Sequence, residues 1–180
     1  MKTKKSIQNK KFTGNLVSND TNANFNFEGK VDFSDAEKPY YNFTANVRNV
    51  NFSALNLISN NTKGDLKVLG KTNINLYGTE IDNIIGDAEF YGLTIRQGDK
   101  VFHFNDLSLS STYDKHEKRT LAVTSDVADI NIEGNYTFKD LPNAFQNYLH
   151  AYFPHRFKAA PSVPSQDFYF KIALKNPTSI

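Results

Sequence analysis

Long runs in which every second residue is apolar extend over most of this 180-residue chain. In residues 23–33, Phe25, Phe27, Val31 and Phe33 take odd positions, and the even positions between them are polar. Because successive side chains of a strand point to opposite faces, this pattern predicts strands with one apolar face. Comparable runs predict further strands at 12–17, 41–47, 66–76, 88–95, 102–109, 121–123, 130–138 and 168–174.

The predicted strands are long, and polar turns separate them. Several reach about ten residues, or roughly 33 Å, whereas a typical strand has about five or six residues. The segments 19–22, 34–39, 97–100 and 114–118 are rich in the residue types that favour turns. We therefore predict an all-β fold, an elongated and curled antiparallel sheet of the groove or β-taco type, rather than a compact sandwich.

Two segments break the alternation: residues 79–85 favour a short helical turn, and the second predicts a short helix near residues 140–153. Pro142 suits the first helical turn, and Pro154 ends the run. The apolar residues recur at spacings of three and four, as on one face of a helix: Leu141, Ala144, Phe145, Tyr148, Leu149 and Tyr152.

Composition and charge divide the chain further. Residues 1–11 contain five Lys and no acidic residue, which predicts a disordered basic tail. Residues 12–154 form the predicted sheet with its helix, 155–166 read as a linker, and 167–180 supply a further strand of the same sheet. Beyond the tail, 16 basic residues face 19 acidic ones, which argues against nucleic-acid binding.

The residue types that usually carry chemistry form no recognisable constellation. Cysteine is absent, and the four histidines, His103, His116, His150 and His155, lack the spacing of a metal site. Ser125, Asp126 and Asp129 favour a turn in which an aspartate bonds its own backbone, rather than an acid–base pair. We predict a protein that is not an enzyme and that has no catalytic residue, metal or cofactor.

A short motif, Gly-x-(Val/Ala/Tyr)-x-Phe, occurs at 29–33, 86–90 and 134–138. Either the same β-unit is reused along the chain, as in elongated repeat-built proteins, or each glycine marks a bulge or bend in a long strand.

The apolar stripe of these strands is the remaining candidate for function. It either packs in a closed core, under a second sheet or the helix, or lines an open groove. In a groove the lining would be almost purely apolar, so acyl chains would enter and headgroups would stay at the mouth. The candidate lining residues are Phe25, Phe27, Val31, Phe33, Tyr41, Phe43, Val47, Leu66, Val68, Ile74, Leu76, Phe90 and Ile132.

Several segments resemble the family of TamB and the AsmA-like proteins. They are Phe25-Asn-Phe-Glu-Gly-Lys-Val-Asp-Phe-Ser, residues 41–57, Ile84-Ile-Gly-Asp-Ala-Glu-Phe-Tyr-Gly-Leu-Thr-Ile, and residues 121–138 followed by the amphipathic helix. The resemblance implies a large envelope protein of Gram-negative bacteria, anchored in the inner membrane, whose curled sheet crosses the periplasm. It also implies phospholipid acyl chains in the groove, and for some members a BamA-like outer-membrane barrel as partner.

On this resemblance the chain would be a middle fragment without the anchor, its end strands pairing with neighbouring β-segments of the parent protein. The expected function is transfer of lipid acyl chains and support of outer-membrane biogenesis and protein assembly. The alternative is a β-rich surface or adhesin-like module that binds glycan or protein. Glycan binding would require aromatic residues on loops or on a flat outer face.

Overall fold

The computed structural model describes residues 5–8, 10–56 and 64–175. Within these ranges the chain forms one ten-stranded sheet and one helix, α1. The elements in chain order are β1 (Lys5–Gln8), β2 (Lys11–Asn19), β3 (Ala23–Asp32), β4 (Tyr40–Asn51), β5 (Leu66–Tyr77), β6 (Ile85–Gln97), β7 (Lys100–Tyr113), β8 (Arg119–Ser125), β9 (Ala128–Asn135), α1 (Leu141–Tyr152) and β10 (Asp167–Leu174).

The sheet is a meander in which each strand pairs antiparallel with the next, in the order of the chain. Its two edge strands, β1 and β10, do not pair with each other, so the sheet is not closed. Throughout the described ranges each strand contacts only its neighbours, and no second layer lies against the sheet. The all-β, curled-sheet prediction is confirmed.

The strand register places the apolar alternation on one face. Residues that pair across neighbouring strands point to the same side of a sheet. One such row runs from Phe43 through Ile74, Ala88 and Leu109 to Val123. We call this side the apolar face and the opposite side the polar face.

Two irregularities keep the alternation in phase. The register shifts between Val47 and Val50 of β4, so both valines lie on the apolar face. A second shift, opposite Leu69 and Lys71 of β5, falls at Gly92 of β6, whose φ is 57°. A bulge inserts one extra residue, so the apolar face is formed by even-numbered residues on one side of the bulge and by odd-numbered residues on the other. The odd-numbered Leu93 therefore shares the apolar face with the even-numbered Phe90.

The repeated glycines are not bulges, because the register passes Gly86 and Gly134 without a shift. Their φ angles of 122° and 142° are ones that other residues rarely adopt. A Cβ on Gly86 would lie 2.1 Å from the carbonyl oxygen of Asn75 on the neighbouring strand. Each glycine therefore marks a close approach of two strands within a regular ladder.

Few apolar side chains of the sheet are buried. Among the described residues, the buried apolar side chains are Ile74, Ala88 and Leu93, and none is fully enclosed. The closed core that we considered as an alternative would bury many more. Most of the apolar face is half exposed.

Two boundaries differ from the predictions. Lys5–Gln8 forms β1 within the predicted disordered tail, because the edge of β2 offers unpaired backbone groups that a neighbouring segment can bind. The strand predicted at 130–138 ends at Asn135, since Thr137 and Phe138 donate their backbone N–H groups to the side chains of Gln166 and Asp82. Positions 1–4, 9 and 176–180 lie outside the described residues.

Candidate functional site

All the predicted lining residues lie on the apolar face. Phe43 pairs with Ile74 and Tyr41 with Leu76, so β4 and β5 contribute to one continuous surface. Phe33 follows the last residue of β3, and its ring meets that of Tyr41 edge-on at 5.9 Å. The remaining lining residues occupy the same face by register: Phe25, Phe27, Val31, Val47, Leu66, Val68, Phe90 and Ile132.

Aromatic rings cover the first part of this face, which we call the aromatic half, on strands β2–β4. The ring of Phe27 lies 5.7 Å from that of Phe12 and 4.7 Å from that of Phe43. Such tilted contacts between neighbouring rings stabilise the packed arrangement by more than the burial of their area alone. The rings pack sideways along the sheet, and no other described element covers them.

The second part, on strands β5–β8, is covered by a loop. Residues 78–84, between β5 and β6, fold over the apolar face, and we call them the roof. Ile81 and Ile84 of the roof and Phe138, which follows β9, close a pocket of about 380 Å³. The floor of the pocket is apolar and comes from four strands: Ile74, Leu76, Ala88, Phe90, Leu109, Leu121 and Val123.

Three polar side chains hold the roof by donating hydrogen bonds to its carbonyl groups. The Ser111 hydroxyl donates to the carbonyl of Ile84 at 2.8 Å, and the Tyr113 hydroxyl donates to that of Asp82 at 3.0 Å. Arg119 donates from Nη2 to the carbonyl of Ile81 at 2.7 Å. A carbonyl that loses water contacts is costly unless a donor replaces them, and these three side chains supply donors to the partly covered roof.

Arg119 is the most deeply placed charge at this site, with only 2% of its surface exposed. Its guanidinium carbon lies 4.9 Å from the ring centre of Phe138 and 5.7 Å from that of Tyr136. The Asp82 carboxylate is 3.9 Å from Nη1, and Nε donates to Ser111 at 3.2 Å. Aromatic faces and one carboxylate thus compensate the buried cation.

Tyr136 is unusual within this cluster. Its hydroxyl oxygen is buried and makes no hydrogen bond. Burial raises the pKa of Tyr136, because the charged phenolate would be poorly solvated there.

Arg119 corrects the expectation of an almost purely apolar lining. It shares the parity of Leu121 and Val123 in β8, so it points onto the apolar face. A charged residue at an apolar position of an alternating strand was the sequence signal that we missed. Its hydrogen bonds go to the roof and to Ser111, so it serves to position the roof.

The polar face carries amide and hydroxyl groups. Asn42 and Asn75 pair across β4 and β5 on this side. Three tyrosines on it are exposed, namely Tyr77, Tyr91 and Tyr169.

The residues considered for acid–base or metal chemistry do not come together. Among the described residues no group of three or more His, Asp or Glu side chains could hold a metal ion. The turn at Ser125 forms, but the Ser125 hydroxyl makes its backbone bonds. The expected aspartate role is wrong, since Asp126 bonds Asn105 across the sheet and Asp129 lies 2.6 Å from Lys175.

Three of the four histidines contact residues that are not histidines. His103 bonds Thr94 and Asn105, and His150 bonds the carbonyl of Phe157. His116 lies in the turn beside Asp114.

No family model, curated protein or solved structure matches the chain. In the ranges that the structure describes, no helix has the length and apolar character needed to cross a bilayer.

Proposed function

We propose that the chain is a groove segment of a periplasm-spanning, bridge-like envelope protein that carries lipid acyl chains. The observation that carries this proposal is the continuous apolar face, which the described elements leave uncovered over its aromatic half. Large exposed apolar surfaces of soluble domains mark binding sites. A surface of this length, whose polar side chains Ser111, Tyr113 and Arg119 are already bonded to the roof, suits long, flexible hydrocarbon chains.

The energetics fit transport rather than storage. Each methylene buried against such a face contributes about 0.8 kcal/mol, so several in contact give weak, mobile binding. Arg119 already donates to the roof carbonyls, so it offers no ready site for a headgroup. Headgroups would remain at the open side of the groove.

The wider setting of the proposal comes from the resemblance. It comprises a periplasmic location within an inner-membrane-anchored parent, a role in outer-membrane biogenesis and protein assembly, and a BamA-like barrel as partner. The open edges of β1 and β10 support a further part of the proposal, pairing with neighbouring β-segments of the parent protein, because unpaired edges favour the addition of strands. No catalytic step is part of the proposal.

The test places a photo-crosslinking amino acid at Phe43 or, as the matched control, at Asn42. These neighbours lie on opposite faces of β4. The purified chain is incubated with phospholipid that carries radiolabelled acyl chains, and then irradiated. We expect lipid adducts from position 43 and not from 42. Adducts from 42 alone, or from neither position, would refute acyl binding in the groove.

A second candidate, glycan binding on the polar face, is favoured by the exposed tyrosines among asparagines there. Tyr77, Tyr91 and Tyr169 have exposed fractions of 47%, 45% and 68%. Tyr77 stacks on Tyr40 at 4.4 Å, which leaves one ring face for a sugar. A glycan array that gives a hit with the wild type and loses it with Tyr77→Ser would support this function over the first.

A further inference from the structure

The helix α1 is oriented unlike a helix that packs on a core. Its polar side is occupied by its own linker: Gln146 donates to the carbonyl of Lys158, and Asn147 accepts from the backbone N–H of Ala160. His150, on the same side, lies 2.7 Å from the carbonyl oxygen of Phe157. An amphipathic helix of a soluble domain normally buries its apolar side and leaves the polar side in water.

The aromatic residues on the apolar side of α1 are exposed. Phe145, Tyr148 and Tyr152 have exposed fractions of 51%, 59% and 65%, and no residue of α1 is buried. Within the described part of the chain, no strand packs closely against the helix. We call the apolar residues of this side, Leu141, Ala144, Phe145, Tyr148, Leu149 and Tyr152, the α1 stripe.

Charge around α1 is positive. The segment 139–158 contains the basic residues Lys139, Arg156 and Lys158 and one acidic residue, Asp140. From position 141 to 166 there is neither Asp nor Glu. His150 and His155 would add further positive charge when protonated.

We propose that the α1 stripe docks on the surface of an anionic lipid bilayer, with the helix lying in the interface plane. Tyr and Phe combine apolar rings with, in Tyr, a polar tip, which suits the boundary between headgroups and acyl chains. Basic residues at both ends of the helix attract anionic headgroups, an attraction that falls off within about one Debye length of the surface. Charge complementarity therefore favours a bilayer over a second copy of this chain.

The position of α1 gives this contact a consequence for the groove. A cleft of about 510 Å³ separates Phe145 and Tyr148 of the helix from Phe168 and Phe170 of β10. Phe168 and Phe170 lie on the apolar face, because they pair with Gly134 and Ile132 of β9. A bilayer bound at α1 would therefore adjoin the β10 end of the groove. Docking itself does not depend on what the groove carries.

The test is co-sedimentation of the whole chain with vesicles of phosphatidylcholine alone or of an equal mixture of phosphatidylcholine and phosphatidylglycerol. We expect binding to the mixed vesicles that is at least about tenfold tighter than to the neutral ones. The variant Tyr148→Ser/Tyr152→Ser should lose at least about tenfold in affinity for the mixed vesicles. The matched control Tyr91→Ser/Tyr169→Ser, which removes two exposed tyrosines from the polar face, should bind like the wild type.

Circular dichroism establishes that each variant keeps its strand content. If the α1 variant is folded and binds as tightly as the wild type, or if neither vesicle type is bound, the proposal is wrong. Equal affinity for both vesicle types would overturn the charge argument on which it depends. Light scattering adds a further arm: self-association that the α1 variant alone abolishes, without vesicle binding, would assign the stripe to a second copy.

Discussion

The aromatic half and the roofed part of the groove use the same strand pattern but cover their apolar residues differently. On β2–β4, Phe12, Phe27 and Phe43 are large enough to contact one another across strands. On β5–β8 the row that continues from Phe43 contains smaller residues, such as Ala88, and the adjacent row contains Gly86 and Ser111. Small side chains leave space above the sheet, and the roof fills it.

This difference shows that a backbone loop brings polar requirements that side-chain rings do not. Rings can cover an apolar face without needing hydrogen bonds, whereas a loop brings carbonyl groups that must be satisfied. Ser111, Tyr113 and Arg119 supply the donors, at positions that would otherwise be apolar. The roofed part is thus more specific in structure and more vulnerable to single substitutions than the aromatic half.

The largest effect that we predict is from Arg119→Met. The substitution keeps a long apolar stem but leaves the Ile81 carbonyl without its donor and the Asp82 carboxylate without its nearby cation. We expect the free energy of unfolding in urea, followed by circular dichroism, to fall by about 3 kcal/mol. Hydrogen exchange in residues 78–84 should rise more than in β2–β4.

The matched control is Arg48→Met. Arg48 is an exposed arginine of β4. Its guanidinium donates hydrogen bonds to the side-chain oxygens of Asn24 and Asn26, which lie on the polar face of β3. A change of less than about 1 kcal/mol is expected there, as for most surface sites. Equal losses in the two variants would contradict the role of Arg119 in holding the roof.

A smaller effect is expected from Gly86→Ala, which tests the close strand approach beneath the roof. The added Cβ would meet the Asn75 carbonyl, and alanine rarely adopts a φ of 122°. We expect a loss of about 2 kcal/mol in urea unfolding. Gly92→Ala is the control, because no atom lies within 4 Å of its Cβ position and its φ of 57° is less restrictive. If Gly92→Ala lowers the free energy of unfolding as much as Gly86→Ala, the close approach of the strands at Gly86 is not the cause of the loss.

Much of the sheet could be predicted from local sequence because alternation directly reports which side of a strand is apolar. The bulge at Gly92 could not be predicted in this way. The apolar positions are even-numbered up to Phe90 and odd-numbered from Leu93, and only the pairing with β5 shows that both sets lie on one face. The segment 1–11 illustrates another limit. Its lysines argue for solvation, but pairing of Lys5–Gln8 with β2 depends on an open edge that only the fold reveals.

The candidate site was predictable only in part. Shared parity sufficed to bring Phe43, Ile74 and the other lining residues together. The roof was not predictable, because residues 78–84 have no periodic pattern and their place depends on distant donors such as Arg119. The periodicity of α1 predicted a helix, but not that its linker would take the polar side.

The smallest effect that we predict is from Tyr136→Phe, which measures how tightly the Arg119 cluster excludes polar groups. The Tyr136 hydroxyl is buried without a partner, so its removal breaks no hydrogen bond. At neutral pH the free energy of unfolding should change by less than about 1 kcal/mol, and a loss well beyond that would mean that the hydroxyl is bonded. Tyr169→Phe, which removes an exposed hydroxyl, is the control at this pH.

Alkaline pH provides the sharper readout of the same substitution. Burial raises the pKa of Tyr136 in the folded chain above its ordinary value near 10. The unfolded chain therefore loses this proton first, and stability that is present below pH 10 is lost as the pH rises through the folded-state pKa. Phenylalanine cannot ionise, so the variant should lose less stability than the wild type above pH 10 in urea unfolding. If the two profiles coincide there, the Tyr136 ring is solvated, and the cluster that holds the roof is more open than its geometry indicates.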